Sequence, residues 1–446
     1  MEERKQRWQG TSSPEPPVLR GRRRADAVIV GGGLTGLTIA LWLSRTGLRV
    51  AVVEADRLGS GSSACCAGVV SLSRQAHFAQ LEKACGPEAA QAHAALQRQA
   101  LLALRERLDS AAEWRDGEFQ LIAENPRQVA LLEGEEQALQ RLHIPAEITR
   151  STQCPLPAQA ALTLPGMGTL NPSAYLSWLQ AQAQKQGVQL YEHSRVTALE
   201  TDLVLTARGS VQAPYIVIAT GYPIVNIPGW YFLRMIQRHA QLTALVGGAA
   251  FDGAFAAADG SWAIHRQGSR TLLETQANAK ALPRLMTSAP GWQILHRQTG
   301  LQICTPDGLP YIGPYSAKTP NLFIASGFQN SGILMSVVAA QAISARILGL
   351  PTEEFDVYSG KRQRGEALTA ARLAGRYLGG WLTRWHAPLC PHLGCKLVYD
   401  RQTRLWECPC HGSRFDDIGR VINAPAVHDA SISQKNADRI SSIVLQ

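Results

Sequence analysis

Hydrophobic and polar positions near the start of the chain follow a strand, helix, strand pattern. The spacing predicts an apolar strand at 26–30, a helix at 33–46 and a second, Val-rich strand at 49–54. Continuous runs of branched apolar residues are typical of strands that are buried on both faces of a parallel sheet. The pattern therefore predicts an α/β unit in this part of the chain.

The middle of the chain changes from helical to strand-like spacing. Residues 75–142 are rich in Ala, Leu, Gln and Glu and predict helices in an inserted lobe. A further helix is predicted at 172–186, and alternating segments within 226–300 predict antiparallel strands that cover a pocket. Strands are also predicted at 189–191, 195–200, 203–206, 215–219 and 321–326, with a last helix at 332–348.

The C-terminal part has a different character. Residues 351–385 predict a charged linker followed by a helix. From 386 to 446 the sequence turns to short strands, paired cysteines and Gly turns. We therefore expect a small all-β module there, separate from the larger unit at 25–350.

Length and composition are those of an ordinary globular protein. The 446 residues are 45% hydrophobic and 18% charged, which excludes disorder over most of the chain and suggests two or three folded units. The net charge of +9 is partly due to Arg20, Arg22, Arg23 and Arg24. These arginines lie in residues 1–24, which are predicted to be a flexible basic tail. A basic excess in a tail argues against a nucleic-acid partner.

One apolar run imitates a targeting signal. The uncharged stretch 27–43 follows the arginine run, but it is marginal in length for a membrane span and contains four glycines. We interpret it as a buried strand and helix. The sequence therefore predicts a cytoplasmic protein without a transmembrane segment.

A glycine motif lies at the first strand-to-helix junction. Gly31, Gly33 and Gly36 form G-x-G-x-x-G, and Glu54 ends the next strand. These glycines permit a tight turn, close approach of a pyrophosphate to backbone amides, and close packing of helix on strand. Glu54 can accept hydrogen bonds from a ribose, and its charge disfavours a 2′-phosphate. The motif predicts a dinucleotide site.

Later segments favour FAD over NAD at this site. No second G-x-G-x-x-G is present to hold a nicotinamide. In their order along the chain, the later segments resemble the D-amino-acid oxidase and glycine oxidase class of FAD enzymes over about residues 25–350. The segments that carry this resemblance are 59–63, 216–221, 305–310 and 324–328.

The resemblance implies an FAD-binding Rossmann-like domain (about 25–75, 150–225 and 305–350) and an α+β substrate lobe (about 76–149 and 226–304). It also implies hydride removal from a carbon that bears an amine, a step whose chemistry the flavin supplies. The residues that it implies at FAD are Gly31, Gly33, Gly36, Glu54, Ser62, Val196, Gly221, Gly327 and Gly332. Cys65 is expected to pack beside the flavin ring; a covalent bond to the ring is the less favoured alternative.

The sequence departs from this class at the expected substrate carboxylate site. Glycine-oxidase-like members carry an Arg where this chain has Gln302. Arg234, Arg238 or Arg266 could replace that Arg, or the substrate could be an amine without a carboxylate. Gln302, Arg234 and His265 are the candidate pocket residues, and no catalytic residue is identified.

Four of the nine cysteines fall within 21 positions near the end of the chain. Their uneven distribution indicates a cofactor site instead of a secreted disulfide framework. The spacing C-x-H and C-x-x-H gives Cys390, His392, Cys408 and His411 the donor set of a [2Fe-2S] cluster with mixed ligation, as in Rieske proteins. Structural zinc is the alternative.

The likeness to Rieske proteins has further implications. Cys395 and Cys410 match the positions that form a disulfide in respiratory-chain Rieske proteins, and Ser413 matches a hydroxyl that hydrogen-bonds a bridging sulfide.

Together the two sites suggest an electron pathway. The sequence favours a dehydrogenase that oxidises an amine or amino acid at FAD and passes electrons through the cluster to an unknown one-electron acceptor. The alternatives are a reductase in which the cluster feeds the flavin, and a non-catalytic cluster that acts as a redox sensor or structural element.

Overall fold

The computed structural model describes residues 15–108, 112–225, 231–276, 279–288, 291–362, 388–400, 404–423 and 425–432. From residue 363 onward, the predicted linker and helix at 351–385 lie outside the described residues. Within the part of 351–385 that is described, Glu353–Tyr358 forms a short 3-10 helix.

A six-stranded, mostly parallel sheet forms the centre of the larger unit. It has the order β18-β19-β12-β2-β3-β8, and only the edge strand β18 runs antiparallel to its neighbour. The sheet confirms the predicted α/β unit. Its strands are β2 (Ala27–Val30), β3 (Val50–Val53), β8 (Gln189–Tyr191), β12 (Tyr215–Ile218), β18 (Tyr311–Ser316) and β19 (Thr319–Ser326).

Three helices pack together beside this sheet. They are α1 (Leu34–Ser44), α5 (Pro172–Lys185) and α7 (Gly332–Ile347), and α1 contacts both of the others. The side chain of Asn171 caps α5 by accepting hydrogen bonds from two backbone amides of its first turn. Each helix begins and ends within two residues of its predicted bounds.

A nine-stranded sheet forms the second layer and confirms the predicted antiparallel strands. Its path is β17-β13-β16-β15-β14-β5-β7-β4, and β6 pairs with β7. The strands are β4 (Val69–Val70), β5 (Arg115–Ala123), β6 (Glu147–Thr149), β7 (Ala160–Thr169), β13 (Ile236–Val246), β14 (Ala254–Ala257), β15 (Trp262–Gln267), β16 (Arg270–Gln276) and β17 (Gln293–Cys304).

The predicted helical lobe is only partly helical. It contains α2 (Phe78–Cys85), α3 (Pro87–Arg107) and α4 (Pro126–Arg141), and α6 (Ala281–Ser288) follows later in the chain. Between α3 and α4, however, the chain forms β5, which pairs with β7 and β14. Half of β5 is exposed and carries charged residues. Its hydrophobic pattern alone therefore did not indicate a strand.

The prediction of a flexible basic tail is wrong for the end of that segment. β1 (Gly21–Arg24) pairs in parallel with β11 (Gly209–Gln212) in a four-stranded sheet with β9 (Val196–Leu199) and β10 (Leu203–Thr206). Leu19 is fully buried, and its amide donates to the Ser194 hydroxyl at 2.8 Å. Backbone pairing and this apolar anchor order the segment, while the arginine side chains stay exposed. Residues 1–14 lie outside the described residues.

The C-terminal module is a small antiparallel sheet, which confirms the predicted all-β fold. The strand order is β20 (Val398–Asp400), β21 (Leu405–Glu407), β22 (Arg414–Phe415) and β23 (Val421–Asn423). Leu397, Trp406 and Phe415 form its core together with the four cysteines.

The search for membrane spans found, among the described residues, no helix that combines the necessary length with the necessary apolar character.

Candidate functional site

The glycine motif forms a tight turn that has no room for side chains. Gly31 follows β2 with φ +109°, and a β-carbon built there would lie 2.5 Å from the carbonyl oxygen of Ala219. A β-carbon on Gly36 would lie 1.9 Å from the carbonyl oxygen of Gly31. The N-terminus of α1 therefore approaches β2 closely, as a pyrophosphate cradle requires.

Two side chains hold this turn in place. The Glu54 carboxylate accepts hydrogen bonds from the amides of Gly32 at 2.7 Å and Asp56 at 2.9 Å. Burial raises the pKa of Glu54, and these amides oppose the shift. The Ser63 hydroxyl accepts from the Leu34 amide at 2.9 Å. The neighbouring Ser62 stays a predicted FAD residue; its hydroxyl would lie 3.9 Å from a β-carbon built on Gly221.

The other residues predicted to contact FAD come together at one edge of the sheet. Gly221 follows β12 and Gly327 follows β19, both with positive φ, and Gly332 begins α7. Because β2, β12 and β19 run parallel, their carboxyl ends meet at the same edge, where ligands of such sheets bind. Val196 is buried in the same apolar cluster as side chains of β2 and β3. The chain thus offers a site whose glycines and helix N-terminus fit FAD.

Gln302 belongs to a partly buried polar network, which we define as Arg74, Glu274, Gln302 and Asn330. The Gln302 amide donates to Glu274 at 3.0 Å and also to the Asn330 side chain. Arg74 forms an ion pair with Glu274 at 3.1 Å and donates to the Asn330 carbonyl at 2.5 Å. The Nε of Arg74 is buried and, among the described residues, makes no hydrogen bond.

A cavity of about 20 Å³ borders this network, enough for about one water molecule. It lies at the N-terminal end of α7 beside Gly327 and Phe328, and Arg74, His77, His93 and Asn330 also line it. Burial lowers the pKa of His93 well below its usual range, so His93 is neutral at this cavity, where the Arg74 guanidinium also lies.

The other predicted pocket residues have different surroundings. Arg234 donates to the Gly360 carbonyl at 2.6 Å, Arg266 donates to the Gly268 carbonyl at 3.2 Å, and Arg238 is exposed. His265 is buried, and its Nε2 contacts the Ala67 carbonyl; burial lowers its pKa to about 4. The arginine that accompanies Gln302 is therefore Arg74, which sequence reasoning missed because it lies far away in the chain.

The two cysteine loops of the C-terminal module share one backbone geometry. In the first loop, the Cys390 amide donates to the Cys395 carbonyl and the Gly394 amide donates to the Cys390 carbonyl, both at 2.8 Å. In the second loop, the same two bonds join Cys408, Gly412 and Ser413 at 2.8 Å. Both glycines have positive φ, which favours Gly.

The predicted iron ligands face one another between these loops. Cys390 and Cys408 are buried, and their thiol–thiol hydrogen bond raises the pKa of Cys390 and lowers that of Cys408. The rings of His392 and His411 are 5.1 Å apart and perpendicular. Burial lowers the pKa of His392 to about 4, which keeps it in the neutral form that binds metal. The donor set fits a [2Fe-2S] cluster.

The two cysteines predicted to form a disulfide lie close together. The sulfur atoms of Cys395 and Cys410 lie within 4.8 Å of each other and of the Cys408 sulfur, and all three are thiols. The Cys395 thiol forms hydrogen bonds with both Cys408 and Cys410. The predicted iron ligand Cys408 therefore lies beside the two cysteines of the predicted disulfide. The Ser413 hydroxyl accepts from the Ala426 amide at 3.0 Å and interacts with Cys390.

The module contacts the larger unit directly. The Tyr222 ring lies 6.1 Å from the His411 ring, measured between centroids. His239 on β13 bonds to Glu407 at 2.8 Å and contacts Arg414. Arg195 donates to the carbonyls of residues 421 and 422 at 3.2 and 3.3 Å. Sequence reasoning did not identify these contacts.

Strand β13, which carries His239, also packs against a segment of the predicted flavin site. The segment Ser62–Cys65 contacts both β13 and β17, and a β-carbon on Gly300 would lie 2.7 Å from the Cys65 sulfur. Burial is the main cause that raises the pKa of Cys65 to about 12, and the charge of Glu274 adds to the shift. Arg414 of the module opposes it. Cys65 is thus a buried, protonated thiol, and its packing beside the flavin ring stays a prediction.

Comparisons with known proteins agree with this geometry. A family model described as DAO, FAD dependent oxidoreductase, matches residues 26–346, and one described as Rieske [2Fe-2S] domain matches residues 384–435. The chain is 23% identical to the Bacillus subtilis protein YhfW, whose name describes it as a Rieske 2Fe-2S iron-sulfur protein. The match covers 94% of this chain and 95% of that one.

Two further relatives match the larger unit. Glycine oxidase of Geobacillus kaustophilus is 26% identical over 70% of this chain and 90% of its own length. Its crystal structure superposes with a TM-score of 0.65 at 20% identity, over 77% of this chain and 100% of that one, which shows a shared fold. Gamma-glutamylputrescine oxidoreductase of Escherichia coli is 28% identical over 44% of this chain and 48% of its own length.

The two family matches confirm both predicted cofactors, FAD and a [2Fe-2S] cluster. They also confirm the predicted Rossmann-like domain with a small C-terminal module. The chain belongs to the family of FAD dependent oxidoreductases and carries a Rieske [2Fe-2S] domain in its C-terminal part.

Proposed function

We propose that this protein is a dehydrogenase that oxidises a small amine or amino acid at FAD and passes the electrons through the Rieske cluster to an external one-electron acceptor. The contact between Tyr222 and His411 carries the proposal, because it joins the predicted flavin site to a predicted cluster ligand. FAD would supply a two-electron acceptor for the substrate hydride, and the cluster would supply a one-electron acceptor at roughly −150 to +300 mV.

The polar network supports a substrate with a charged group. Arg74 and Glu274 are both buried, and each offers a charge to a ligand: the guanidinium to a carboxylate, the carboxylate to an ammonium group. Arg74 also has a buried Nε–H available to a ligand. We assign Arg74 as the anchor for a substrate carboxylate, in place of the arginine that is absent at Gln302. The names of two relatives, glycine oxidase and gamma-glutamylputrescine oxidoreductase, agree with amine chemistry.

The test is reduction of the purified holoprotein by candidate substrates without oxygen. Glycine, N-methylglycine, proline and putrescine would be mixed with the protein, while flavin absorbance and the electron paramagnetic resonance (EPR) signal of the cluster are recorded. We expect one class of substrate to bleach the flavin and then to produce the signal of a reduced cluster. Flavin bleaching with a cluster that stays oxidised would contradict the proposed route. Reduction of the flavin only through a prereduced cluster would indicate a reductase instead.

Arg74→Lys distinguishes the substrate classes. Lys keeps the charge but loses the bidentate geometry of the guanidinium. For a carboxylate substrate we expect KM to rise about tenfold or more, because hydrogen bonds to charged groups contribute roughly 1.5–3 kcal/mol. For a substrate without a carboxylate, KM should be unchanged, which would remove Arg74 from the proposed site. Arg266→Lys is the matched control, since Arg266 bonds only to the nearby Gly268 carbonyl in the described contacts.

A further inference from the structure

Tyr222 belongs to the FAD-binding unit but lies against the cluster module. It is 3% exposed, and its ring is tilted by 52° to the His411 ring at 6.1 Å between centroids. The residue follows Gly221, which is predicted to contact FAD. One residue thus separates the predicted flavin site from a predicted cluster ligand.

The turn that carries Tyr222 is held on both sides. The Thr220 hydroxyl donates to the Tyr222 carbonyl at 2.6 Å, and the Ser326 hydroxyl donates to the Gly221 carbonyl. Ser326 ends β19, next to the predicted FAD residue Gly327. These bonds hold the backbone of the turn at Gly221 and Tyr222 next to the end of β19.

The cluster loop opposite Tyr222 is also packed tightly. A β-carbon on Gly412 would lie 2.2 Å from the Gln237 side-chain oxygen, so the loop backbone rests directly on β13. The Asn423 side chain donates to the Gly412 carbonyl at 3.0 Å and supports the loop from within the module. The second cysteine loop is therefore held between its own module and the FAD-binding unit.

The two predicted histidine ligands differ in their surroundings. His411 is 5% exposed and is covered by Tyr222, whereas His392 is only half-buried and follows the exposed Pro391. The sequence motifs give the two histidines the same predicted role as cluster ligands. The tertiary structure places the His411 ring against Tyr222, an aromatic residue of the other unit.

We infer that the FAD-binding unit completes the cluster site: Tyr222 is a positioning residue that covers His411 and holds its imidazole, and His411 is the ligand that faces the flavin. Contacts of this kind orient metal ligands and tune the metal. This inference holds for either direction of electron flow, so it does not depend on the proposed dehydrogenase activity.

The test compares Tyr222→Leu, Tyr222→Phe and Tyr399→Leu in the full-length holoprotein. Dithionite reduces the cluster, and the readouts are the EPR g-values, the midpoint potential and the rate of iron loss to a chelator. We expect Tyr222→Leu to shift the g-values and potential and to lose iron about tenfold faster. Tyr222→Phe keeps the ring and should retain the wild-type g-values. Tyr399 packs on Trp406 within the module, so its variant should match the wild type.

A second variant keeps the inference falsifiable if Tyr222→Leu is isolated without a cluster. His239→Leu removes the contacts of His239 with Glu407 and Arg414, which flank the second cysteine loop, and it should shift the potential and g-values by loosening the docked module. Wild-type g-values, potential and iron retention in Tyr222→Leu would overturn the inference. If Tyr222→Leu lacks a cluster, wild-type values in His239→Leu would overturn it. Because dithionite replaces substrate, a failure of the proposed substrate oxidation would leave these outcomes unaffected.

Discussion

Arg74 and Glu274 form an ion pair of 3.1 Å inside the protein, with side chains only 6% and 10% exposed. Both also bond to polar partners: Glu274 accepts from Gln302, and Arg74 donates to the Asn330 carbonyl. The four residues come from four separate segments of the chain, next to the predicted flavin site. A buried pair of this kind adds little net stability, but removing one partner leaves an uncompensated charge.

We therefore expect Glu274→Gln to lower the free energy of unfolding by about 3 kcal/mol. Denaturant unfolding of the holoprotein would measure this loss. Glu82→Gln is the control, because the Glu82–Arg141 pair is at the surface, where a pair contributes less than about 1 kcal/mol. Equal losses in the two variants would contradict the buried character of the Arg74 pair.

Gly36→Ala should weaken FAD binding. The added β-carbon would lie 1.9 Å from the Gly31 carbonyl oxygen, so α1 must move away from the cradle. Overpacking of this kind costs about 1–3 kcal/mol, which corresponds to about tenfold weaker binding. The FAD content after dialysis and the dissociation constant would measure the effect.

Gly117→Ala is the matched control for this change. A β-carbon on Gly117 meets no atom within 4 Å, and the residue lies on β5, away from the cradle. Wild-type FAD affinity in Gly36→Ala would show that the close approach of helix and strand is not needed for binding.

Cys395→Ser and Cys410→Ser test the predicted disulfide. If the bond forms in the holoprotein, each single variant should accelerate cluster loss to a chelator, and the double variant should be no worse than either. Coupled residues show this non-additivity, because either change alone removes the whole interaction. Cys154→Ser, far away in the chain, should have no effect on the cluster.

Mass spectrometry of the unreduced protein after thiol alkylation gives the independent measurement. A disulfide protects both cysteines from the reagent, so two fewer labels should be found than after reduction. Full alkylation of both residues in unreduced, denatured holoprotein, combined with additive effects of the two substitutions, would remove the disulfide from the site.

Burial of His265 predicts a pH dependence of stability. Its pKa falls from 6.5 in the unfolded chain to about 4 in the folded protein. Between these values the unfolded chain binds more protons, so the free energy of unfolding falls as the pH decreases from about 6.5 to about 4, by up to about 3 kcal/mol.

Denaturant unfolding at about pH 7.5 and about pH 5 would measure this loss in the wild type and in His265→Gln. The variant lacks the titrating group, so its stability should fall less over this interval. An identical pH dependence in both proteins would mean that His265 is not the group responsible.

Much of the fold could be predicted from local sequence. The bounds of the helices α1, α5 and α7 and of the buried strands differ little from the predicted ones, because apolar runs and flanking Gly and Pro residues mark them in the sequence. β5 and β1 could not be predicted in this way. Half of β5 is exposed, and β1 consists of one glycine and three arginines, so both strands depend on pairing with distant partners.

The sequence by itself determined the two cofactor sites, because a pyrophosphate turn and a diiron centre each need particular residue types at short, regular spacing. Gly31, Gly33 and Gly36, and likewise the two cysteine loops, carry that spacing within a few residues. Only the tertiary structure decided what lies between these sites. Tyr222 meets His411, and Arg74 meets Glu274, across about 190 and 200 positions of the chain. Such contacts depend on how sheets and domains pack, and the spacing of residues within short segments does not predict them.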